Sequence, residues 1–520
     1  MSVGARRASN LIRHARDVLL ESSPKQIALS GPSGFIGRRV LDSILEVHAE
    51  RQRHGLEPGE VVLLSSSPGR LMGNLTKKYG SDKMRTVRAS RVDYYNQHTT
   101  DMWHDQLGSL GMGGKDAVFV NLAGVAGPIP DKPTAMQDVN YTAPMAAAKA
   151  AMELDFGHWI QSSTQATKAE RAGQVPYSRW KAMMDYTLSR MDNLPVTILT
   201  MGLIYCKDHK VVGQRSDKLN MVDLALLPVT PIMGNGGAPL QPLEVQDAAE
   251  RVAFLALSEP SHRPLQSNDS SWAASHWIQK ASIGKEPTAM PRLPKISAQR
   301  SFTLRMYDAV GPETMSIMEL LDSVAKIHGK HLRPVHVDYR NYERILNVAS
   351  LGNLNRQFIS LLRSEQASNQ PIVGNSSVFA RLLGDQARLV NFEEAMRCQA
   401  SETKKRKFPI STAINWVIEN PGVVLPGLSL MAEAALVLAR QKGSFNRWPF
   451  NRTQQDADHP HHPSQSSQHS ASSSASSASA PSSAVIRADD QMMPHEVQSH
   501  EIQSHEVHSQ VPVRITTQHG

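Results

Sequence analysis

The chain has 520 residues, 40% of them hydrophobic, and a formal net charge of +8 at neutral pH. Its length predicts two or three domains, or one large α/β unit with an appended lobe. Because the basic residues are spread along the chain, the charge suits an anionic small ligand or an organelle and argues against nucleic-acid binding. The two cysteines, Cys206 and Cys398, lie far apart and predict no disulfide framework and no metal site.

The N-terminal segment, residues 1–24, is basic and has no acidic residue before Asp17. This composition is typical of a transit peptide, and it fits equally well a solvated basic helix outside the nucleotide-binding domain. An apolar secretory h-region is absent. We therefore expect a mitochondrial location, with the cytoplasm as the alternative.

A glycine-rich motif, Gly31-Pro-Ser-Gly-Phe-Ile-Gly37, separates an apolar strand at 26–29 from an amphipathic helix. Gly31 permits a tight turn, Gly34 lets a pyrophosphate approach the backbone, and Gly37 lets the helix pack closely on the strand. The N–H groups at the start of the helix can bind phosphates. The motif predicts a dinucleotide cofactor, bound by Gly31, Ser33, Gly34, Phe35, Ile36, Gly37 and Arg38.

The second predicted strand, residues 60–64, is followed by three serines rather than by an acidic residue. An acid at this point normally holds the ribose 2′-hydroxyl of NAD, whereas a 2′-phosphate needs hydroxyls and cations. Ser67, Arg70 and Arg38 supply such groups. NADP(H) is the preferred prediction; NAD(H) stays open, because these residues also fit an exposed loop without a ligand.

Further strands are predicted at 86–93, 116–120 and 158–161, and the last delivers Ser162, Ser163 and Thr164. Tyr177 and Lys181 follow, four residues apart, so they share one helical face. A lysine ammonium there lowers the pKa of the phenol from its usual value of about 10. The pair alone is typical of any solvated helix, but after a strand bearing hydroxyls it predicts an acid/base. The predicted catalytic residues are Tyr177, Lys181 and either Thr164 or Ser163.

Together these motifs resemble the short-chain dehydrogenase/reductases, within them the extended and atypical members of the epimerase type. The resemblance covers roughly residues 25 to 400 and includes Asn121-Leu-Ala-Gly124. Thr200 and Met201 stand where the family usually has Arg-Pro. The resemblance implies a Rossmann-like fold and hydride transfer on a small carbonyl or hydroxyl substrate. It also implies cofactor contacts by Asp93, Leu122, Ala123, Gly124, Asn140, Tyr177 and Lys181.

The later segments look most like the branch that contains the NADPH-binding accessory subunit of mitochondrial complex I. Residues 231–237 and 307–316 carry this likeness. It implies an alternative function, a non-catalytic structural or assembly protein in which bound NADPH stabilises the fold.

We expect a doubly wound parallel α/β sheet with a smaller C-terminal substrate lobe and a disordered tail. Residues 25–260 are predicted to form the Rossmann domain, and residues 261–400 an insertion and the substrate lobe. Residues 401–450 are predicted to form a helical, apolar extension; the charges and prolines within 417–439 argue against a membrane span but leave a peripheral membrane or organellar contact open. Residues 451–520 are rich in Ser, His and Gln, which predicts disorder without an ordered metal site.

Overall fold

A computed structural model describes residues 9–126, 129, 131–168, 175–206, 225, 230–259, 304–338 and 373–400. Its seven-stranded sheet is parallel throughout and contains β1 (Gln26–Ser30), β2 (Glu60–Ser65), β3 (Val87–Arg91), β4 (Ala117–Asn121), β5 (His158–Thr164), β6 (Val196–Met201) and β11 (Leu304–Ala309). The strand order is β11-β6-β5-β4-β1-β2-β3. The order reverses at β1 and β4, the point where doubly wound sheets bind ligands at their carboxyl edge.

Helices cover both faces of this sheet, since the side chains of each strand alternate between two apolar clusters. Ile27 and Leu29 pack on one face and Ala28 on the other. The first face is covered by α1 (Asn10–Glu21), α2 (Gly37–Arg53), α3 (Pro68–Tyr79) and α8 (Val245–Leu257), and the second by α4 (Thr100–Ser109), α6 (Ala143–Glu153) and α7 (Pro176–Leu188). The short helix α5 (Ala135–Gln137) and a π-helical turn, Asp138–Thr142, precede α6.

A smaller lobe has its own apolar cluster, which we call the lobe cluster; Tyr205, Leu320 and Phe392 are among its buried members. Helices α9 (Ile317–Ile327) and α11 (Phe392–Ala400) contribute to it. The doubly wound α/β fold with a smaller lobe is as predicted. Short strand pairs complete the lobe: β7 (Ile204–Tyr205) with β10 (Leu243–Glu244), β8 (Thr230–Met233) with β13 (Pro334–Val337), and β9 (Pro239–Leu240) with β12 (Met315–Ser316).

The sheet extends beyond the predicted Rossmann boundary at residue 260. Strand β11 pairs in parallel with β6, in register from Leu304 with Val196 to Ala309 with Met201. Strand β5 also runs three residues further than predicted, through Thr164. The predicted extension at 401–450 and tail at 451–520 lie outside the described residues.

Helix α1 belongs to the folded domain rather than lying outside it. Leu11, Ala15 and Leu19 are buried in the main apolar cluster. The Nη1 group of the buried Arg51 donates to the carbonyls of Leu19 at 2.8 Å and Ser22 at 2.7 Å. Basic residues of this segment therefore coexist with an apolar face that the composition alone did not reveal; the mitochondrial location stays a prediction.

The segment 373–400 is held on α8 by a buried arginine. The guanidinium of Arg251 donates to the carbonyls of Phe379 at 2.9 Å, Ala380 at 3.0 Å and Ala387 at 2.8 Å. These contacts satisfy carbonyls at the end of the short helix α10 (Ser376–Ala380) and just beyond it. No helix in the described ranges is long and apolar enough to cross a membrane.

Replacement of Leu19 by alanine tests the packing of α1. We expect Leu19→Ala, at a side chain that is 2% exposed, to lower the free energy of unfolding by about 2–5 kcal/mol. Leu56→Ala is the matched control, because that side chain is 37% exposed, and should change it by less than about 0.5 kcal/mol. Equal effects in urea denaturation would show that α1 does not pack in the core.

Candidate functional site

The glycine loop, residues 31–37, brings the start of α2 directly onto the end of β1. Gly31 has a φ of +68°, and a Cβ on Gly37 would lie 2.1 Å from the Gly31 carbonyl oxygen. A Cβ on Gly31 would lie 2.9 Å from the Ala123 nitrogen. Side chains therefore cannot be added at either position without moving backbone, as the motif predicted for its first and last glycines.

The start of α2 is open to an anionic ligand. Its N-cap, Ile36, provides no side-chain hydrogen bond, and the first turn contains no acid. Ser33 and Gly34 are exposed, and the Arg38 guanidinium lies 5.8 Å from the centre of the Phe35 ring. Uncapped N–H groups beside an arginine suit a phosphate. The structure thus places Ser33, Gly34 and Arg38 on the surface at the start of α2, with Gly37 buried beneath them.

Buried polar side chains tie together the ends of β1, β4 and β5. Ser30 Oγ donates to Asn121 Oδ1 at 2.7 Å and accepts from the backbone N–H of Leu122 and Ala123, both at 3.2 Å. Asn121 Nδ2 in turn donates to Gln161 Oε1 at 2.9 Å. These bonds fix residues 122–124 beside the glycine loop. Neither Ser30 nor Gln161 was predicted.

Asn140 holds the next part of this loop from the π-helical turn. Its Nδ2 donates to the carbonyls of Val125 and Met136, both at 2.8 Å, and its Oδ1 accepts from Val125 N at 3.3 Å. A Cβ on Gly124 would lie 3.3 Å from Asn140 Oδ1 and 3.5 Å from Lys181 Nζ. Asn140 is therefore occupied in shaping the loop, and Gly124 leaves room for the lysine.

Lys181 is buried at the carboxyl edge of the sheet. Its Nζ donates to the carbonyl oxygen of Ser162 at 3.0 Å, and burial lowers its pKa, an effect opposed by the charge of Asp185. Tyr177, one turn earlier on α7, is half-buried against the lobe cluster. The structure thus brings Lys181, Gly124 and Asn140 together, with Tyr177 on the side of the lobe.

The two predicted hydroxyls after β5 have different surroundings. Ser163 Oγ donates a hydrogen bond to Asp185 Oδ2, so its proton is engaged by helix α7. Thr164 Oγ1 accepts from Ala166 N at 3.4 Å at the start of the 3-10 turn Gln165–Lys168. Asp185 was missed, although the series Tyr177, Lys181, Asp185 continues the same four-residue spacing on one helical face.

The predicted 2′-phosphate residues lie where β2 meets α3. Ser67 is the N-cap of α3 and makes no capping bond with its side chain; Arg70 is exposed in the first turn. No acid occurs between residues 65 and 70. The site therefore includes a further helix start without a side-chain capping bond at this edge of the sheet, with a hydroxyl and a cation beside it.

The carboxylate of Asp93 is already bound within its own turn. Its Oδ1 accepts from Tyr95 N at 3.0 Å and its Oδ2 from Asn96 Nδ2 at 2.7 Å. The bond from Asn96 is the main reason that the pKa of Asp93 is lowered. Asp93 thus stabilises the turn after β3, and its predicted contact with a cofactor stays a prediction. The described residues contain no group of three or more His, Cys, Asp or Glu placed to hold a metal ion.

No protein-family model matches this chain, and no curated protein matches it. Among solved structures it is similar to UDP-glucuronic acid 4-epimerase from Bacillus cereus in complex with UDP-glucuronic acid and NAD (TM-score 0.43, 13% identity, 72% of this chain and 98% of that chain). It is also similar to UDP-glucose 4-epimerase from Thermotoga maritima with UDP-glucose (TM-score 0.42, 12% identity, 72% and 97%). Both TM-scores are below 0.5, so the function is inferred below from the residues of this chain.

Two glycine-to-alanine substitutions separate close backbone contact from ordinary helix propensity. Gly37→Ala should destabilise the protein by about 3 kcal/mol or more, because its Cβ would meet backbone at 2.1 Å. Gly73→Ala, within α3 and with nothing within 4 Å of its Cβ, should stabilise it by about 0.5–1 kcal/mol. Chemical denaturation measures both. Equal shifts would exclude the close approach at the glycine loop.

Proposed function

We propose that this protein is an NAD(P)(H)-dependent oxidoreductase or epimerase of the short-chain dehydrogenase/reductase type. The observation that carries the proposal is the position of Lys181, buried at the carboxyl edge, bonded to the Ser162 carbonyl and one turn from Tyr177. Gly124 leaves room for the Lys181 ammonium beside residues 122–124, and this segment packs on the glycine loop. A nucleotide site and an acid/base pair thus adjoin at the strand ends, where such sheets bind ligands.

The glycine loop and the start of α2 fit the pyrophosphate of a dinucleotide. The N–H groups there are uncapped, no acid opposes the phosphate charge, and Arg38 adds a cation. Residues 122–124 would border the cofactor, and Lys181 would bind its ribose next to the reacting ring. The nicotinamide, when bound, supplies the acceptor or donor of hydride.

The proton of the substrate oxygen is assigned to Tyr177. Its position one turn from Lys181 lets a charged ammonium lower the pKa of the phenol, so that it can exchange a proton near neutral pH. Thr164 is preferred over Ser163 for orienting the substrate oxygen, because the Ser163 hydroxyl donates to Asp185. The substrate is proposed to be a small molecule with a carbonyl or hydroxyl group.

We further propose that NADP(H) is preferred over NAD(H). Ser67 and Arg70 lie at an uncapped helix start, and no acid follows β2 to hold a ribose 2′-hydroxyl. A 2′-phosphate would gain charge-assisted bonds from Arg70 and Arg38. The preference concerns affinity only and does not affect the assignment of Tyr177.

A second candidate function is that of a protein that holds the nucleotide without turnover, in a mitochondrial assembly of the complex I kind. The observation that favours it is that Asp93 and Ser163 already have partners within the chain. Bound NADPH would then stabilise the fold by linkage, by about 2.7 kcal/mol at a concentration one hundred times its Kd. Peripheral contact with a membrane or an organellar complex belongs to this alternative.

Replacement of Tyr177 by phenylalanine distinguishes the two functions. For the enzyme, we expect Tyr177→Phe to retain the thermal stabilisation by NADPH and to lower NADPH oxidation in a screen of carbonyl compounds by about 10²–10⁴-fold. Tyr186→Phe is the control. Tyr186 lies on the same helix but on the side opposite to Tyr177, so this variant should keep turnover.

The outcomes of that screen are separate for each function. Stabilisation of the wild-type protein without any turnover would favour the nucleotide-holding function. Turnover that survives in Tyr177→Phe would remove Tyr177 from the acid/base role. Absence of stabilisation by NADPH and NADH alike would overturn both functions.

The proposed cofactor preference is tested at two arginines. Arg70→Ala should weaken NADPH binding roughly tenfold and leave NADH binding within about twofold, because its charge-assisted bond is made to the 2′-phosphate. Arg38→Ala should weaken the binding of both cofactors, because Arg38 also lies beside the proposed pyrophosphate site. Arg85→Ala, at an exposed arginine paired with Asp82, is the charge-matched control. Isothermal titration gives the affinities of the three variants and the wild-type protein for both cofactors, and an equal loss of NADH binding in Arg70→Ala would contradict the assignment.

A further inference from the structure

Helix α7 and strand β5 are joined by two buried polar contacts that use neighbouring residues on each side. Lys181 Nζ donates to the carbonyl of Ser162 at 3.0 Å. One turn later, Asp185 Oδ2 accepts from the hydroxyl of Ser163. The side chains of Lys181 and Asp185 are 2% and 0% exposed. The helix is thus fixed to the end of β5 by two buried ionisable side chains, Lys181 and Asp185.

The carboxylate of Asp185 is compensated by the hydrogen bond from Ser163 and by the charge of Lys181. Its second oxygen, Oδ1, is buried without a hydrogen-bond partner, and burial raises its pKa while Ser163 and Lys181 oppose that rise. Within the part of the chain that the structure describes, Asp185 is the charged group whose field acts on the Lys181 ammonium. Since burying an ion is costly, each of the two charges is maintained largely by the other.

We propose that Asp185 is a positioning residue that keeps Lys181 protonated and, through Ser163, fixes the end of β5 beside it. The first effect is electrostatic, because a carboxylate one turn away in a buried environment favours the ammonium over the amine. The second is geometric, because Ser162 and Ser163 are consecutive and are each bound to one member of the pair.

The consequence for chemistry rests on the proposed function. An uncharged Lys181 would not lower the pKa of the Tyr177 phenol, and it would bind a ribose hydroxyl less strongly than an ammonium does. Asp185 contacts neither substrate nor cofactor in this account and acts only through Lys181 and Ser163. Ser163 therefore has a defined structural role instead of the catalytic one that was considered for it.

The protonation of Lys181 can be measured without cofactor or substrate. Protein labelled with [6-¹³C]lysine gives an Nζ-adjacent carbon signal for each lysine, and the signal lost in Lys181→Met identifies residue 181. Its titration is followed by NMR in wild type, Asp185→Asn and Asp185→Glu. Asp308→Asn is the control. It removes a different carboxylate at this edge of the sheet, one that is partly buried and pairs with Lys168 rather than with Lys181.

We expect the Lys181 midpoint to fall by at least one pH unit in Asp185→Asn, roughly a tenfold change in proton affinity, and to recover in Asp185→Glu. The Asp308→Asn control should leave it in place. An unchanged midpoint in folded Asp185→Asn, or a wild-type midpoint below pH 7, overturns the proposal. If Asp185→Asn does not fold, the wild-type midpoint alone still tests the proposal, because a midpoint below pH 7 would contradict it.

The NMR test and the function test fail independently. A shifted midpoint in a protein that binds no dinucleotide would retain the role of Asp185 and overturn the proposed function. Where NADPH does bind, Asp185→Asn should move the alkaline limit of its binding to lower pH, because Lys181 loses its charge earlier. A variant that was only less stable would bind NADPH with the wild-type pH profile.

Discussion

The close approach of Gly37 to the Gly31 carbonyl is the contact from which the rest of the site follows. Only hydrogen atoms fit between these backbones, since a Cβ on Gly37 would lie 2.1 Å from that oxygen. Helix α2 can therefore begin at the very end of β1, with its N–H groups at the carboxyl edge of the sheet. Gly31 then contacts the backbone of residues 122–123, so the loop after β4 is drawn alongside.

The loop after β4 connects the glycine loop to the position of Lys181. Ser30 fixes its beginning and Asn140 its end, so Gly124 comes to lie against Lys181. Ser30 and Asn140 both bond to the backbone of the loop, and the missing side chain of Gly124 leaves room for the lysine. The position of Lys181, on which the proposed function depends, thus results from packing that begins at the glycine loop.

The sequence was sufficient to predict features that depend on neighbours along the chain. The glycine loop and the strand beginnings, the latter to within one residue, follow from local spacing, and the acid/base pairing of Tyr177 with Lys181 stays a prediction. Arg51 and Arg251 could not be identified in this way, because each resembles an ordinary arginine on a helix. Arg51 binds a carbonyl 32 residues away, and Arg251 binds one 128 residues away. Only the tertiary fold shows that Arg51 binds the end of α1 and that Arg251 binds the segment 373–400.

The same limit applies within the site. Spacing could not show that the Ser163 hydroxyl is bound to Asp185, because the burial of Asp185 depends on how α7 packs on β5. Asp93 illustrates the reverse case. The family resemblance implies that Asp93 contacts a cofactor. The structure shows that its carboxylate also closes a turn with Tyr95 and Asn96. Local patterns show which groups are present and not which are already engaged.

Two carboxylates near the carboxyl edge show how the surroundings assign different tasks to one group. Burial tends to raise the pKa of Asp308, but Lys168, Thr200 and the N–H of Asn375 outweigh it, so the pKa is lowered. Such an acid stays ionised over a wide range of pH and serves as an anchor for the segment that begins near residue 373. Asp185 has one hydrogen bond, from Ser163, and the charge of Lys181, and burial outweighs both, so the pKa of this carboxyl is raised. A poorly compensated buried anion is costly as a structural anchor, and the role that we propose for Asp185 is instead to act on the charge of Lys181.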